Sequence, residues 1–202
     1  MTQSRALKTR EDIVQAAARL FALHGCSATS LNDLLDAVAV SKGAFYYHFK
    51  SKDDLVRAVL ERLGHQFELE VLAPVRALGP ADSAGRSLHA FFERLVELNE
   101  SGQWQNCRLL ARLTQEMALH PGELAQQVAA LLQWWTGCWQ ELIAAAQQAG
   151  AIRRDLDARP LAPLLVCAWL GTVGCGDLHQ PAPALGRLAD TLLRLLSAAP
   201  AA

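Results

Sequence analysis

The fold is decided by residues 29–60, which read TSLNDLLDAVAVSKGAFYYHFKSKDDLVRAVL. Ser30 is followed three residues later by Asp33, which is the spacing of a capping box, and Ser41 is a favourable helix N-cap. The stretch therefore predicts one short helix that begins at Thr29-Ser30 and ends near Val38, and a second over residues 42–48. Because only Ala39-Val40 separates them, the two helices are predicted to form a helix-turn-helix.

The second of these helices has the composition expected of a helix that enters a DNA major groove. Its N-terminal end is small and polar, so the backbone is able to approach base edges. Tyrosine hydroxyls and lysine ammonium groups follow, and these groups suit phosphate contacts. The residues concerned are Ser41, Lys42, Gly43, Ala44, Tyr46, Tyr47, His48, Lys50 and Lys52. Between them, Phe45 and Phe49 are predicted to be core residues that fix the helix to its neighbours.

Helical spacing of apolar residues continues on both sides of this motif, and no stretch shows the two-residue alternation of a strand. A first helix is predicted from Arg10 to His24, with Gly25 as its stop, and a fourth from the capping box Ser51/Asp54 to a point before Pro74. Further helices are predicted near Gly85–Glu100, Trp104–Leu119, Pro121–Ala149, Arg159–Gly174 and Pro183–Ala198. The fold class is therefore all-α.

Composition narrows the class of protein further. The chain has 202 residues, of which 51% are hydrophobic and 19% charged, enough apolar material for a packed interior. Residues 1–52 carry a net charge of +3 and the remainder −4, a weak indication of an anionic partner for the N-terminal part. Five cysteines without a CxxC motif argue against a disulfide framework or a zinc site.

The N-terminus is polar and lacks the apolar core of a signal peptide. The longest apolar run, residues 161–176, is shorter than the about 20 residues that cross a bilayer and contains Pro163 and Thr172. We therefore predict a soluble cytoplasmic protein with no membrane partner.

Residues 10–60 resemble the DNA-binding domain of the tetracycline-repressor (TetR) family, most specifically in SKGAFYYHFKSKDDL, residues 41–55. The resemblance implies a helix-turn-helix domain over residues 1–52, the head, and a helical domain for effector binding and dimerisation over 53–202, the body. One departure is Ala39, where the family usually has glycine. If this position is left-handed, alanine costs on the order of 1 kcal/mol there.

The family resemblance also implies roles for residues of the head. Lys42, Gly43 and Ala44 match positions that face base edges. Tyr46, Tyr47 and His48 match positions that grip the DNA backbone and groove wall. Thr29, Ser30 and Lys50 match positions that touch phosphates. Lys52 is open to a second reading, as a solvated residue at the start of the fourth helix.

A homodimer formed by the last two helices is a further implication of the resemblance, and the sequence supports it independently. LAPLLVCAWLGTVG, residues 161–174, is apolar on nearly all faces, and ALGRLADTLLRLL, residues 184–196, carries a broad leucine stripe. The predicted interface residues are Leu165, Trp169, Val173, Leu188, Leu192 and Leu195. A two-fold dimer predicts a pseudo-palindromic operator in double-stranded DNA.

The other helices of the body are expected to enclose a pocket for an unidentified small-molecule effector that is apolar or planar. The predicted lining residues are Phe91, Trp104, Cys107, Leu131, Trp134, Trp135, Cys138 and Trp139. An alternative left open is that these aromatic residues simply fill the core.

Cys107 carries an alternative mode of regulation. It opens NCRLLARLTQE, residues 106–116, which is similar to a segment of electrophile- and oxidant-responsive members of the family. Arg108, Arg112 and a helix N-terminus would each lower the pKa of a thiol. A buried cysteine that acts as a small apolar residue is the competing interpretation.

Other classes of function have less support in the sequence. The chain has no paired Glu-x-x-His motif for a di-iron site and no Walker loop, GxGxxG, GxSxG or HExxH. Glu116 and His120, at four-residue spacing, can share a helix face, but such a pair alone does not make a metal site. No metal, cofactor or enzymatic activity is predicted. A helical carrier of small molecules would have no use for SKGAFYYHFK. The sequence thus predicts a homodimeric transcriptional repressor that an effector releases from its operator, with the thiol switch as the alternative.

Overall fold

The computed structural model describes residues 2–78, 84–102, 104–175 and 184–197, and this part of the chain is built from helices. An isolated antiparallel bridge between Ile152 and Ser197 is the exception to helical structure within it. The predicted all-α fold is confirmed.

The first four helices confirm the predicted helix-turn-helix. They are α1 (Thr2–His24), α2 (Leu31–Val38), α3 (Lys42–His48) and α4 (Lys52–Phe67). The bounds of α2 and α3 are those predicted. Helix α1 begins eight residues before the predicted start at Arg10, because its polar first turns have no apolar stripe to mark them. Gly25, with φ of +91°, ends α1 as expected for a left-handed C-terminal residue.

The fourth helix ends at Phe67, before Pro74 as predicted, but helical backbone that the sequence does not predict continues beyond it. A single turn of π-helix, Glu68–Leu72, follows α4 and leads directly into α5 (Ala73–Arg76). Pro74 lies in the first turn of α5, where a missing N–H costs no internal hydrogen bond. The guanidinium of Arg94 donates to the carbonyl oxygen of Glu70 at 2.9 Å, which satisfies one acceptor of the π turn.

Five longer helices complete the described body: α6 (Ala84–Glu100), α7 (Asn106–Leu119), α8 (Glu123–Gln148), α9 (Ala158–Cys175) and α10 (Ala184–Leu196). These bounds agree with the predicted helices to within two residues. Pro163 lies inside α9 without interrupting it. Helix α10 packs against α6 and α9.

The chain divides into two compact units that are not continuous in sequence. The first unit comprises residues 1–65 and 105–131, and the second comprises 66–104 and 132–202. The first therefore includes α7, which packs against α1, together with the head. The predicted functional division at residue 52 is a different one and remains a prediction.

By length and apolar composition, α9 is the one helix within the described ranges that would suit a membrane span. Its buried residues are Ala158, Ala162, Leu165, Val166, Trp169, Leu170 and Val173. Burial of these side chains inside the second unit accounts for the apolar composition of the helix, because a core helix needs the same residues.

Candidate nucleic-acid interface

Helix α3 is anchored by two phenylalanines. Phe45 and Phe49 are each 1% exposed, and their ring centroids lie 5.6 Å apart. The guanidinium of Arg10 lies over the Phe49 ring, 5.3 Å from its centroid, and so ties α1 to the same contact. The prediction that both phenylalanines are core residues is confirmed.

The turn before α3 contains Ala39, and this residue is in the left-handed conformation. Ala39 has φ of 52° and ψ of 43°, and its N–H donates to the carbonyl oxygens of Asp36 and Leu35. Ser41 then caps α3, since its hydroxyl accepts from the N–H of Ala44 at 3.2 Å. The turn is therefore complete in its hydrogen bonds and is left with the strain of one alanine.

The face of α3 opposite the phenylalanines is open. Tyr46 is 50% exposed and Tyr47 is 78% exposed, while Lys42 and Gly43 are also exposed. Ser30, Ser41 and Lys50 are exposed as well, whereas Ala44 and His48 are half-buried. The rings of Tyr47 and His48 meet edge to face at 4.9 Å, so the imidazole orients the tyrosine. Ten of the eleven predicted DNA-contacting residues thus retain accessible surface: Ser30, Ser41, Lys42, Gly43, Ala44, Tyr46, Tyr47, His48, Lys50 and the half-buried Lys52.

Ser30 and Asp33 form the predicted capping box at the start of α2. The hydroxyl of Ser30 accepts from the N–H of Asp33 at 3.2 Å, and the carboxylate of Asp33 accepts from the N–H of Ser30 at 2.7 Å. These hydrogen bonds from Ser30 lower the pKa of Asp33 below its usual value. The box fixes the entry of the chain into the helix-turn-helix.

Two of the predicted DNA contacts, Thr29 and Lys52, have partners inside the protein. Thr29 is 2% exposed, and its hydroxyl donates to the carbonyl oxygen of Gly25 at 2.7 Å. The ammonium of Lys52 donates to the carbonyl oxygens of Cys26 and Thr29 at 2.5 and 2.6 Å. Both residues therefore hold the segment between α1 and α2, residues 25–29. Their predicted contact with DNA stays a prediction.

The same segment is also held by Glu116, for which the sequence suggests only a shared helix face with His120. Its carboxylate accepts from the N–H groups of Cys26 and Ser27 at 2.9 Å each and from the Ser27 hydroxyl at 3.1 Å. A β-carbon on Gly25 would lie 2.2 Å from a Glu116 carboxylate oxygen. Glu116 belongs to α7, so α7 is bonded directly to the loop that precedes the helix-turn-helix. We call this arrangement of Glu116, Lys52 and residues 25–29 the loop clamp.

The predicted effector-pocket residues fall into both units. Cys107 and Leu131 belong to the first unit, while Phe91, Trp104, Trp134, Trp135, Cys138 and Trp139 belong to the second. In the second unit, six rings form what we call the aromatic cluster: Phe67, Phe91, Phe92, Trp135, Trp139 and Trp169. Trp139 is at its centre, with centroids 5.0 Å from Phe91 and 5.3 Å from Phe92. Trp134 touches Phe67 from the edge of the cluster and is 39% exposed.

Trp169 is a member of the cluster that the sequence analysis assigned elsewhere, to the dimer interface. It is fully buried, with its ring centroid 6.0 Å from that of Trp139. Leu165, Val173 and Leu192 are also buried within the chain, while Leu188 is half-buried and Leu195 is 60% exposed. Four of the six predicted interface residues therefore have almost no surface left to offer a partner, and the sequence prediction requires correction at those positions.

Cys107 and Cys138 are both buried, at 1% and 6% exposure. Burial raises the pKa of Cys138 to about 11, with the nearby carboxylate of Glu141 as a further cause, so this thiol is protonated at neutral pH. Cys107 is the second residue of α7 and therefore lies at a helix N-terminus, as predicted. A reagent reaches it only after the surrounding side chains open, and its role as a switch remains a prediction.

A left-handed turn, a capped helix fixed by two phenylalanines and an exposed face of lysine and tyrosine define a helix-turn-helix DNA-binding protein. Residues 13–59 match the family described as bacterial regulatory proteins, tetR family, and residues 84–192 match the tetracyclin repressor-like C-terminal domain. Because the second match alone covers more than half of the chain, the protein belongs to the TetR family of transcriptional regulators. The resemblance found in the head is confirmed.

Relatives along the whole chain agree with this assignment. A probable acrEF/envCD operon repressor of Escherichia coli K12 is 29% identical, across 96% of this chain and 89% of its own. A TetR-family regulator from Agrobacterium tumefaciens has the same fold, with a TM-score of 0.86 at 19% identity over 96% of this chain and 100% of its own. AibR, solved in complex with isovaleryl coenzyme A and operator DNA, gives a TM-score of 0.71 at 22% identity over 93% and 97% of the two chains.

Proposed function

We propose that the protein is a homodimeric repressor that binds a pseudo-palindromic operator through α3 and leaves it when a small molecule binds in the second unit. The observation that carries the proposal is the division of α3 into a buried phenylalanine side and an open side of Lys42, Gly43, Tyr46 and Tyr47. The AibR complex is one case in which this fold accommodates both a small molecule and operator DNA.

Within the head, we assign the direct DNA contacts to accessible residues of α3 and to Lys50. Lys42, Gly43 and Ala44 approach base edges from the start of α3, and Tyr46, Tyr47 and Lys50 approach the phosphates. Thr29 and Lys52 instead act as positioning residues, since their polar groups are hydrogen-bonded to residues 25–29.

The DNA assignment is tested by selecting an operator from random-sequence duplexes and measuring affinity as a function of salt. Each lysine that neutralises a phosphate contributes about 0.9 to the slope of log K against log salt. We expect Lys50→Ala to lower that slope by about one per protomer and to weaken binding to all DNA sequences to the same extent. Arg187→Ala, which removes an exposed charge of the second unit, serves as the control and should leave the slope unchanged. Failure of the selection to enrich any sequence would contradict the proposal.

We place the dimer interface on the exposed face of α9 rather than on its buried residues Leu165, Trp169 and Val173. Pro160, Pro163, Leu164, Cys167, Gly171 and Gly174 are exposed at three- or four-residue spacing and form an uncharged stripe. Leu164 is 64% exposed, and a β-carbon added to Gly171 or Gly174 would meet no atom within 4 Å. A second copy of this surface would bury the stripe by a two-fold contact.

The interface proposal is tested by Leu164→Glu, which sets two like charges into a two-fold contact. We expect the variant to sediment as a monomer and to lose operator affinity more than tenfold. Leu119→Glu is the matched control, because Leu119 is 77% exposed in the first unit and lies outside the stripe. A Leu164→Glu variant that remains dimeric would exclude this surface as the interface.

We further propose that α7 carries the signal between effector and DNA. Trp104 of the second unit is joined through Gln105 to the first residue of α7, and Glu116 near the other end of α7 holds the loop before α2. A shift of α7 would therefore alter the loop clamp and the placement of α2 and α3. An effector acts in this way only if it binds the shifted state more tightly.

Glu116→Gln tests this route because it keeps the shape of the side chain but replaces one acceptor oxygen with a donor. We expect faster hydrogen exchange at residues 25–30 and a several-fold weaker operator affinity, with a dimer that remains folded. Glu123→Gln, on the exposed side chain that pairs with Arg57 at 3.1 Å, is the control. Unchanged exchange and affinity in Glu116→Gln would remove the clamp from the mechanism.

No catalytic step belongs to this proposal, and we assign the protein to the cytoplasm, where its operator is accessible. Among the described residues, no group of three or more His, Cys, Asp or Glu side chains is placed to hold a metal ion. The carboxylate of Glu116 accepts hydrogen bonds from the N–H groups of Cys26 and Ser27.

A further inference from the structure

The aromatic cluster and Trp104 contain hydrogen-bond donors that the described residues do not satisfy. Within the described ranges, five buried side-chain nitrogen or oxygen atoms have no hydrogen-bond partner, and four of these are the indole nitrogens of Trp104, Trp135, Trp139 and Trp169. The four side chains are between 0% and 6% exposed, so the bulk solvent does not supply the missing acceptor. All four belong to the second unit.

Such a concentration of unpaired donors is unusual in a protein interior. Buried polar groups are normally paired, since an unpaired donor loses its hydrogen bond to water on folding and gains nothing in return. Three of the four indoles lie in one connected group, with centroids 6.0 Å apart from Trp135 to Trp139 and from Trp139 to Trp169. Acceptor oxygens of a bound molecule would satisfy donors that are grouped in this way.

The surroundings of these donors restrict the chemistry of such a molecule. Thr29 and Asn106 are the buried polar residues of the described chain, and both belong to the first unit. In the described second unit no charged side chain is fully buried, since Arg94 is half-buried and Glu141 is exposed. A carboxylate or an amine bound among the rings would therefore have no fully buried counter-charge. Most cluster rings meet edge to face, as in the 88° angle between Phe91 and Trp139, and a flat ring of a ligand is able to make the same kind of contact.

We propose that the second unit binds a neutral, planar aromatic compound whose carbonyl oxygens accept hydrogen bonds from the indole N–H groups of Trp135, Trp139 and Trp169. This inference rests on the proposed function, because the compound is the effector of that function. Binding is non-covalent. The thiol of Cys138, one helical turn from Trp134 and Trp135 on α8, is in its protonated form at neutral pH, because burial raises its pKa.

The experiment compares ketones with hydrocarbons or ethers of the same shape by isothermal titration calorimetry on the full-length dimer. The pairs are 9-fluorenone with fluorene, xanthone with xanthene, and benzophenone with diphenylmethane. We expect at least one ketone to bind about tenfold or more tightly than its partner. Binding should also move the indole N–H resonances of Trp135, Trp139 and Trp169 downfield and leave that of Trp134 in place.

Single substitutions assign the effect to the donors. Trp139→Phe and Trp135→Phe remove an indole N–H but keep an aromatic ring, so each should reduce the ketone preference towards one. Trp134→Phe is the matched control on the same helix, since Trp134 is 39% exposed and its nitrogen is not among the unpaired buried atoms. That variant should keep the full preference.

Several results would overturn the proposal. If no ketone of the three binds, or if each ketone binds no better than its partner, the indole N–H groups do not select a carbonyl ligand. An unchanged preference in both Trp135→Phe and Trp139→Phe would have the same meaning, and would favour N–H contacts with neighbouring phenylalanine rings instead. Operator affinity, measured in parallel, separates the two claims. A ketone that binds without releasing DNA contradicts the proposed function, whereas release by compounds of another class contradicts only the ligand chemistry.

Discussion

The head and the aromatic cluster use aromatic side chains in opposite ways. In α3, Phe45 and Phe49 are buried and contain no polar group, whereas Tyr46 and Tyr47, which carry hydroxyls, are exposed. In the second unit, indole nitrogens are buried among other rings and have no partner among the described residues. The contrast underlies our proposal that the head is complete without its ligand, whereas the interior of the second unit is completed by one.

The largest effect is expected where the head depends on its buried rings. Phe45→Ala should destabilise the first unit by about 3–5 kcal/mol, because it removes a fully buried aromatic ring and leaves a cavity. Tyr47→Ala removes a ring of similar size from the exposed side of the same helix and should change stability by less than about 0.5 kcal/mol. Denaturant unfolding followed by circular dichroism measures both. Equal losses of stability in the two variants would contradict the division of α3 into a buried side and an open side.

The second effect concerns the loop clamp. Gly25→Ala should cost about 2–3 kcal/mol, since Gly25 has φ of +91° and the new β-carbon would displace the carboxylate of Glu116. In a Glu116→Ala background the displacement no longer matters, and the same substitution should cost only about 1 kcal/mol for the backbone strain.

A double-mutant cycle across Gly25→Ala and Glu116→Ala measures this coupling directly. Strict additivity of the two losses would mean that the carboxylate does not hold the loop. Such a result would contradict the proposal that a shift of α7 alters the placement of the helix-turn-helix.

The smallest effect tests the turn itself. Ala39→Gly should stabilise the head by up to about 1 kcal/mol, because Ala39 has φ of 52° and glycine adopts that conformation without strain. Ala37→Gly, at an exposed position two residues earlier in α2, should instead destabilise by about 1 kcal/mol. Thermal unfolding of the two variants is expected to give shifts of opposite sign, and shifts of the same sign would contradict the left-handed turn.

The difference between the two regions also explains what the sequence could predict. The bounds of α2 and α3, the caps Ser30 and Ser41 and the core role of Phe45 follow from local spacing, so residues 29–60 were sufficient to derive them. Glu116 escaped prediction as a loop partner because 90 residues separate it from Cys26. The helical continuation from Glu68 to Arg76 escaped prediction because a π turn has no sequence signature comparable to a cap.

The body shows the same limit in its buried faces. Trp169 was assigned to the dimer interface because α9 is apolar on nearly all sides, so helical spacing alone does not distinguish an inner from an outer face. The contacts with Phe92 and Trp139 place it inside. Unpaired indole donors are likewise a property of packing between helices, and no residue pattern along the chain reveals them.

The central claim is that DNA binding resides on the open face of α3 and ligand sensing in the aromatic cluster. Its most direct test is the operator affinity of Tyr47→Ala and Trp139→Phe, measured side by side by fluorescence anisotropy with the selected duplex and no added ligand. We predict that Tyr47→Ala loses about tenfold or more in affinity while its melting temperature stays unchanged, and that Trp139→Phe binds as the unmodified protein does. Full affinity in Tyr47→Ala, with a loss in Trp139→Phe, would contradict the account.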